Sequence, residues 1–530
     1  MHRILSPPLG APLVLLTFWG VLSCTAVERS ASQGDEASET GKSSSGSTLV
    51  HQYCTRCHPA PEPEHLPRRT WPLVLDWMGN YLGYQNTEGS LDVLVNQEQV
   101  PESPIVSPKE LETIREYFLS NAPEGPLRPT NAPSDIETSA LFDPVERDIL
   151  PNEVAYGQRE VVTLVEVAED PPRLFVGEGN ENMLLKYREP DTDDAKSALE
   201  LVQAVQFDTQ PVEIETAEDT LTVTLIGDLI KGRKKGQVVR LSPGKGQLKA
   251  THLVQDHYRT PHACLHDLNA SGRKDLVVAG FGDFGEGRLS WFENLGDDRY
   301  KEHVLWEQNG AIKTAVHDFN GDGRPDIMAL IAQARQELVV YLNRGESKFE
   351  KVQVLRKYPS FGVNSFEIVD FDGDGLKDVL LLNGNNMEIS DPPLRDYHGV
   401  RVLRNQGDLE FKEAYFYPMY GAIDATVADF TGDGLLDVAA VSFFPDWEAE
   451  PPKTFVILKQ TRPLDFVPST VPAAQGNRWM RVDAGDLYGD GTVDLVLGAA
   501  GLTHGIPENS RDSFIKRFNE SPPVLILRNK

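Results

Sequence analysis

Five copies of one nine-residue loop constrain this chain more than any other feature. The loop reads Asp267, Asn269, Ser271, Gly272, Asp275 in its first copy, then Asp318, Asn320, Asp322, Gly323, Asp326. It continues as Asp370, Asp372, Asp374, Gly375, Asp378, as Asp429, Thr431, Asp433, Gly434, Asp437, and as Asp486, Tyr488, Asp490, Gly491, Asp494. The first Asp recurs at spacings of 51, 52, 59 and 57 residues. Each loop sits between two apolar runs, such as Phe366–Val369 and Val379–Leu382 around the third copy. Each unit ends in a strand-like run closing on Asn or a basic residue: Leu289–Asn294, Leu338–Asn343, Val400–Asn405, Phe455–Lys459 and Val524–Asn529. Self-similarity at this period means an array or a propeller.

Oxygen-bearing side chains at positions 1, 3, 5 and 9, with Gly at 6 for the tight turn, form a cage for a hard cation. Calcium suits such a loop better than magnesium, because the loop is flexible and supplies most ligands itself. The competing account is an Asx-rich hairpin turn without metal. Tyr488 makes the fifth loop the weakest site, and Thr431 still offers the fourth a hydroxyl. The expectation is four or five Ca²⁺. The loops also account for part of the net charge of −29. They hold fifteen Asp, and five bound Ca²⁺ would bring the charge to about −19. So acidic a chain excludes nucleic acid as a partner, since phosphate binding needs a surplus of Lys and Arg.

This array resembles the FG-GAP/VCBS-type repeat of integrin-like β-propellers, whose loop joins the first two strands of each blade. Two units without the acidic loop precede it, Arg173–Gly177 with Met183–Tyr187 and Leu221–Gly227 with Val238–Leu241. Two plus five gives seven blades, about 54 residues each over 152–530. Eight blades, or six with an extra strand layer, are the alternatives. An EF-hand is excluded, because β-branched runs flank the loops where helices would be needed.

The second constraint is Cys54-Thr55-Arg56-Cys57-His58. Cys-x-x-Cys-His is the attachment signature of a c-type haem, two thiols bonding the macrocycle and the imidazole ligating iron. A redox Cys pair or half a zinc site are the other readings. Helical spacing places Trp71, Leu75, Met78 and Leu82 on one face of a helix starting near Arg69 or Thr70. Leu111, Ile114 and Phe118 line a second helix, after Pro108, that ends at Ala122-Pro123. The stretch 48–127 resembles a small mono-haem cytochrome c domain. Met78 is the candidate second axial ligand, against a plain core residue. His65, in the Pro-rich loop, is a lesser candidate, and an open iron site is the remaining alternative.

Residues 1–23 read as a targeting segment: a weakly basic start, an apolar stretch from Ile4 to Leu22, and Val21-Leu22-Ser23-Cys24. This resembles a bacterial lipoprotein signal, which implies lipidation of Cys24 and an extracytoplasmic, lipid-anchored protein. An ordinary signal peptide or an uncleaved anchor is the alternative. Residues 24–47 are a Ser/Gly/Glu-rich tether, and 128–151 read as a linker. Cys264 is left over as a buried small residue. The expected architecture is therefore multidomain: a small all-α cytochrome c domain followed by an all-β propeller.

Aligned on the first Asp of each loop, the inner strands place His262, Lys313, Ser365, Asp424 and Arg481 in register, five residues before it. Strand alternation gives them one face, and inner strands line a propeller's channel, so they form a candidate ligand ring or a plain solvated lining. Three functions follow. One is an extracytoplasmic electron-transfer protein with a single covalent haem c, whose propeller docks a redox protein partner or a glycan. The alternatives are an oxidoreductase with substrate in the channel and haem as acceptor, or an adhesion or scaffold protein. No catalytic triad is recognisable.

Overall fold

The computed structural model describes residues 2–3, 45–84, 95, 99–130, 136–145, 159–189, 199–217, 219–228, 234–245, 248–283, 286–387, 389 and 391–530. Cys24 and residues 4–44 lie outside these. Among the described residues no helix is long and apolar enough to cross a membrane.

Seven sheets succeed one another along the chain, each with a four-stranded antiparallel core. They form seven blades, spanning 162–206, 211–257, 262–306, 311–356, 363–418 and 422–470, with the seventh at 479–529. The two early units without acidic loops fold as blades 1 and 2, Pro172–Glu178 and Thr220–Leu225 being their second strands. Second strands such as Asp326–Ile331 are buried on both faces, which explains their unbroken apolar runs. The cores lie between blades, as where Met328 and Leu330 of blade 4 meet Val379 and Leu381 of blade 5.

Closure of the ring differs from the sequence expectation. The outermost strand of blade 7 is Phe142–Val145, from the stretch read as a linker. It pairs antiparallel with the C-terminal strand Val524–Asn529, Phe142 opposite Asn529 and Val145 opposite Ile526. Glu137–Thr138 adds a parallel strip to blade 6 beside Ser469 and Thr470. A four-residue run containing Pro carries little strand signal, and Pro144 is tolerated because this strand is an edge.

Among the described residues three α-helices precede the ring: α1 (Gly46–Cys54), α2 (Trp71–Asn80) and α3 (Pro108–Asn121). Ser107 and Glu110 form a capping box on α3, with Pro108 in its first turn. Leu49, Val50, Leu66, Trp71, Leu75, Leu82, Ile114 and Phe118 share one core. Gly46 lets α1 approach α3, since a Cβ there would lie 2.3 Å from that of Tyr117. Met78 departs from the expected face: it is half-buried and stands outside this core. A fourth helix, α4 (Glu508–Glu520), is inserted between the second and third strands of blade 7 and packs Phe514 against Trp447.

Candidate functional sites

The Cys-x-x-Cys-His segment begins where α1 ends. Thr55 donates its hydroxyl to the His51 carbonyl, 2.6 Å away, and turns the chain out of the helix. Both thiols are free, Cys57 exposed and Cys54 half-buried, burial pushing the latter up to about 11. His58 donates Nδ1–H to the Pro59 carbonyl at 2.9 Å. The proton is therefore fixed on Nδ1, and Nε2 keeps a free lone pair. Burial lowers the His58 pKa, which favours that neutral form. Two free thiols beside one oriented, neutral imidazole are the donor set a c-type haem requires. His65 is committed elsewhere: its Nδ1 accepts the Glu62 N–H and its ring stacks on Tyr358, 3.5 Å between centroids.

The acidic loops join the first and second strands of blades 3 to 7. The first Asp of each accepts the N–H of the position-6 Gly, at 2.7 Å for Asp267 and 3.0 Å for Asp370. Those glycines hold φ between 76° and 88° with open space around them, so backbone conformation demands Gly there. Carboxylate oxygens of Asp370, Asp372 and Asp374 lie within 4.8 Å of one another, close enough to share one cation. Basic side chains already reach several loops: Arg404 pairs with Asp372 at 2.6 Å, Arg528 with Asp490 at 2.9 Å and Lys459 with Asp433 at 3.7 Å. In the fifth loop Tyr488 lies under Arg528, 4.4 Å from its ring centroid, and packs into the core between blades 7 and 1.

The position-9 residues have a structural role that sequence spacing did not reveal. Asp275, Asp326, Asp378, Asp437 and Asp494 are fully buried. One oxygen of each accepts the N–H just after the loop's first Asp. The other accepts an N–H at the end of the third strand, from Asn294, Asn343, Asn405, Gln460 or Asn529. Each therefore pins its loop to the third strand. Burial raises the carboxyls of Asp437 and Asp494 to about 6.

The inner strands bring His262, Lys313, Ser365, Asp424 and Arg481 around the channel, and sheet register adds Glu213 at the equivalent position of blade 2. Two residues further along lie Glu166, Glu367 and Asp483. Sequence alignment missed Glu166 and Glu213 because blades 1 and 2 lack the loop that marks register. Neighbouring blades are clasped at every step of the circle. Thr163 donates to the Pro211 carbonyl, Leu265 N–H to Glu215, and His262 Nδ1 meets the Thr314 hydroxyl. Lys313 donates to Ser365, Asn364 to the Ala422 carbonyl, Val482 N–H to Asp424, and Arg481 to the Thr163 carbonyl. Much of the ring's polarity therefore serves closure.

Five carboxylates here (Glu166, Glu213, Glu367, Asp424, Asp483) face two cations, Lys313 and Arg481. Burial, then Asp483, pushes Glu166 up; burial raises Glu213 to about 7 against the pull of Lys313 and Arg481. Burial also raises Glu367 and Asp483. For Lys313 burial works downward, but Glu367, Asp424 and Glu213 outweigh it and keep the ammonium charged.

Fold and loops together define a seven-bladed β-propeller carrying FG-GAP repeats. The FG-GAP-like repeat family matches residues 267–329 and 318–381, spanning the loops of blades 3 to 5. No curated protein matches the chain. Among solved structures, the N-terminal domain of Nup159 is similar at 11% identity and a TM-score of 0.43, covering 76% of this chain and 98% of that one. Sqt1 of Saccharomyces cerevisiae is similar at 8% identity and 0.40, covering 75% and 100%. A luciferin-regenerating enzyme is similar at 12% identity and 0.34, covering 73% and 96%.

Proposed function

We propose that this is an extracytoplasmic c-type haem protein that transfers single electrons, tethered through Cys24, whose propeller docks a redox protein partner. The observation that carries this reading is the geometry at His58. Its Nδ1 is spent on the Pro59 carbonyl and its Nε2 is free, directly after two unpaired thiols. Cys54 and Cys57 would hold the haem and His58 would ligate its iron. Bound there, haem supplies reversible one-electron chemistry. Met78, outside the helical core, is the proposed second ligand.

The propeller's part is rigidity and recognition. Calcium in the acidic loops would neutralise the carboxylates grouped as at Asp370, Asp372 and Asp374 and stiffen one face of the ring. The second reading, an oxidoreductase with substrate in the channel, is favoured by topology. First strands of blades 3 to 7 end at the acidic loops, so His262 and the ring lie toward the opposite face. Fourth strands end on that same face, where Arg356 meets Cys57.

The test is the visible spectrum of purified, reduced protein with and without carbon monoxide. A low-spin covalent haem spectrum unmoved by carbon monoxide, and lost in Met78→Ala, is the expected result for electron transfer. A shift with carbon monoxide puts the oxidoreductase reading ahead. Absence of covalent haem overturns both.

A further inference from the structure

The segment bearing the two thiols meets blade 4, and the loop that follows it meets the connection to blade 5 and a loop within blade 5. Arg356, the last residue of the fourth strand of blade 4, donates to the Cys57 carbonyl at 2.9 Å. Two residues on, Tyr358 stacks on His65, and Tyr397 donates its hydroxyl to the His65 carbonyl at 2.9 Å. The Pro-rich loop after His58 is thus fixed at both ends by propeller side chains.

The charge delivered by this contact is positive. Arg356 reaches the residue before His58 directly, and Arg335 belongs to the same basic cluster of blade 4: it and Lys351 both lie over Trp306, and Lys351 shares Glu337 with Arg356. Arg335 donates to the neutral Gln308 at 2.9 Å and lies over Trp306, 5.4 Å from its ring. The buried Glu337 is shared, 3.3 Å from Arg356 and 3.2 Å from Lys351. One carboxylate thus stands against three basic side chains.

We propose that Arg356 and Arg335 of the propeller set the reduction potential of the haem held at Cys54, Cys57 and His58. The inference rests on the haem reading above. Reduction takes ferric to ferrous iron by one electron from a donor protein, so the reduced site carries one positive charge less. Fixed cations beside the iron's imidazole ligand favour that state and raise the potential. The propeller would then be an electrostatic part of the redox centre, and the helical segment alone would be a weaker oxidant.

The experiment is a spectroelectrochemical titration of the full-length protein with Arg356→Gln, Arg335→Gln, the double variant and Arg356→Lys. Haem content by haemochrome assay is measured on each. The Arg335 side chain meets Gln308 and Trp306 of the propeller, so Arg335→Gln reports charge even if Arg356→Gln disturbs the contact. Expected are unchanged haem content and visible spectrum, a lower midpoint potential in both Gln variants, the lowest in the double, and recovery in Arg356→Lys. The differences should shrink as salt rises. Equal potentials in haem-loaded variants overturn this proposal and leave the haem reading standing. A wild type without covalent haem overturns the reading beneath it as well.

Discussion

Arg481, on the inner strand of blade 7, donates Nε–H to the carbonyl of Thr163, on the inner strand of blade 1, at 2.8 Å. With Asp483 accepting the Val167 N–H at 2.6 Å, it joins the last blade to the first across the channel wall. Arg481 also offers positive charge to Glu213. Arg481→Met should therefore lower stability by about 1–3 kcal/mol in urea denaturation, with a larger loss at pH 8 than at pH 5. An equal loss at both pH values would separate the clasp from the charge.

Glu213 titrates near 7 in the folded ring and about 4.3 in an unfolded chain. The folded state thus keeps its proton longer. This contribution is complete below the unfolded value and is lost as pH rises from about 4 through about 7. Glu213→Gln mimics the protonated form, so its melting curve should be flatter across that window. Above pH 7 it should be more stable than the native chain, on the order of 1 kcal/mol after allowing for solvent in the channel. A variant less stable than the native chain at pH 8 would refute the assignment.

The position-9 and position-3 aspartates should separate cleanly. Asp378→Ala orphans the buried N–H groups of Phe371 and Asn405 and should cost about 2–4 kcal/mol with or without calcium. Asp372→Ala loses one ion pair with Arg404, which keeps Asp374, so it should cost the metal-free protein under about 1 kcal/mol while removing the stabilisation that added calcium gives. Thermal melts in EDTA and in excess CaCl₂ read both.

Arg404 pairs with Asp372 and Asp374 of the blade 5 loop. Arg404→Ala frees both carboxylates, so titration calorimetry should show one calcium site tightened severalfold. Saturating calcium at a hundred times its dissociation constant adds about 2.7 kcal/mol per site. No change in affinity on removing Arg404 would mean that the loop does not take calcium.

Phe142, 3% exposed, anchors the closing strand against Phe430. Phe142→Ala should cost about 3–5 kcal/mol, as for a residue deep in the core. Differential scanning calorimetry would show it. A surface-like effect would contradict closure of the ring by this strand.

How legible the fold was depended on whether a position carried its own chemistry. The five loops could be read because carboxylates and Gly at fixed spacing suit little besides a tight turn built to hold a cation. They brought the strands of blades 3 to 7 with them, down to the register of His262 and Arg481. Phe142–Val145 was missed because its partner, Val524–Asn529, lies at the other end of the chain, and strand pairing leaves no local mark. Helix α4 shows Phe514, Ile515 and Phe518 in an otherwise polar stretch, too few to mark a helix face. The Cys54–His58 motif was plain in sequence, but the contact of Cys57 with Arg356 depends on how the helices seat on the ring. The position-9 aspartates were read as ligands from spacing alone, and only burial revealed their hold on the third strand.

Because the outer strand of the last blade is made first, order of synthesis governs when the ring can form. Phe142–Val145 leaves the ribosome about 380 residues ahead of its partner, an interval of about 20–75 s at ordinary elongation rates. Throughout it, blades 1 to 6 can assemble, but the closing strand has nothing to pair with. The nascent chain therefore carries an open edge until Val524–Asn529 emerges, and a chain stalled or clipped short of Val524 cannot close by this pairing.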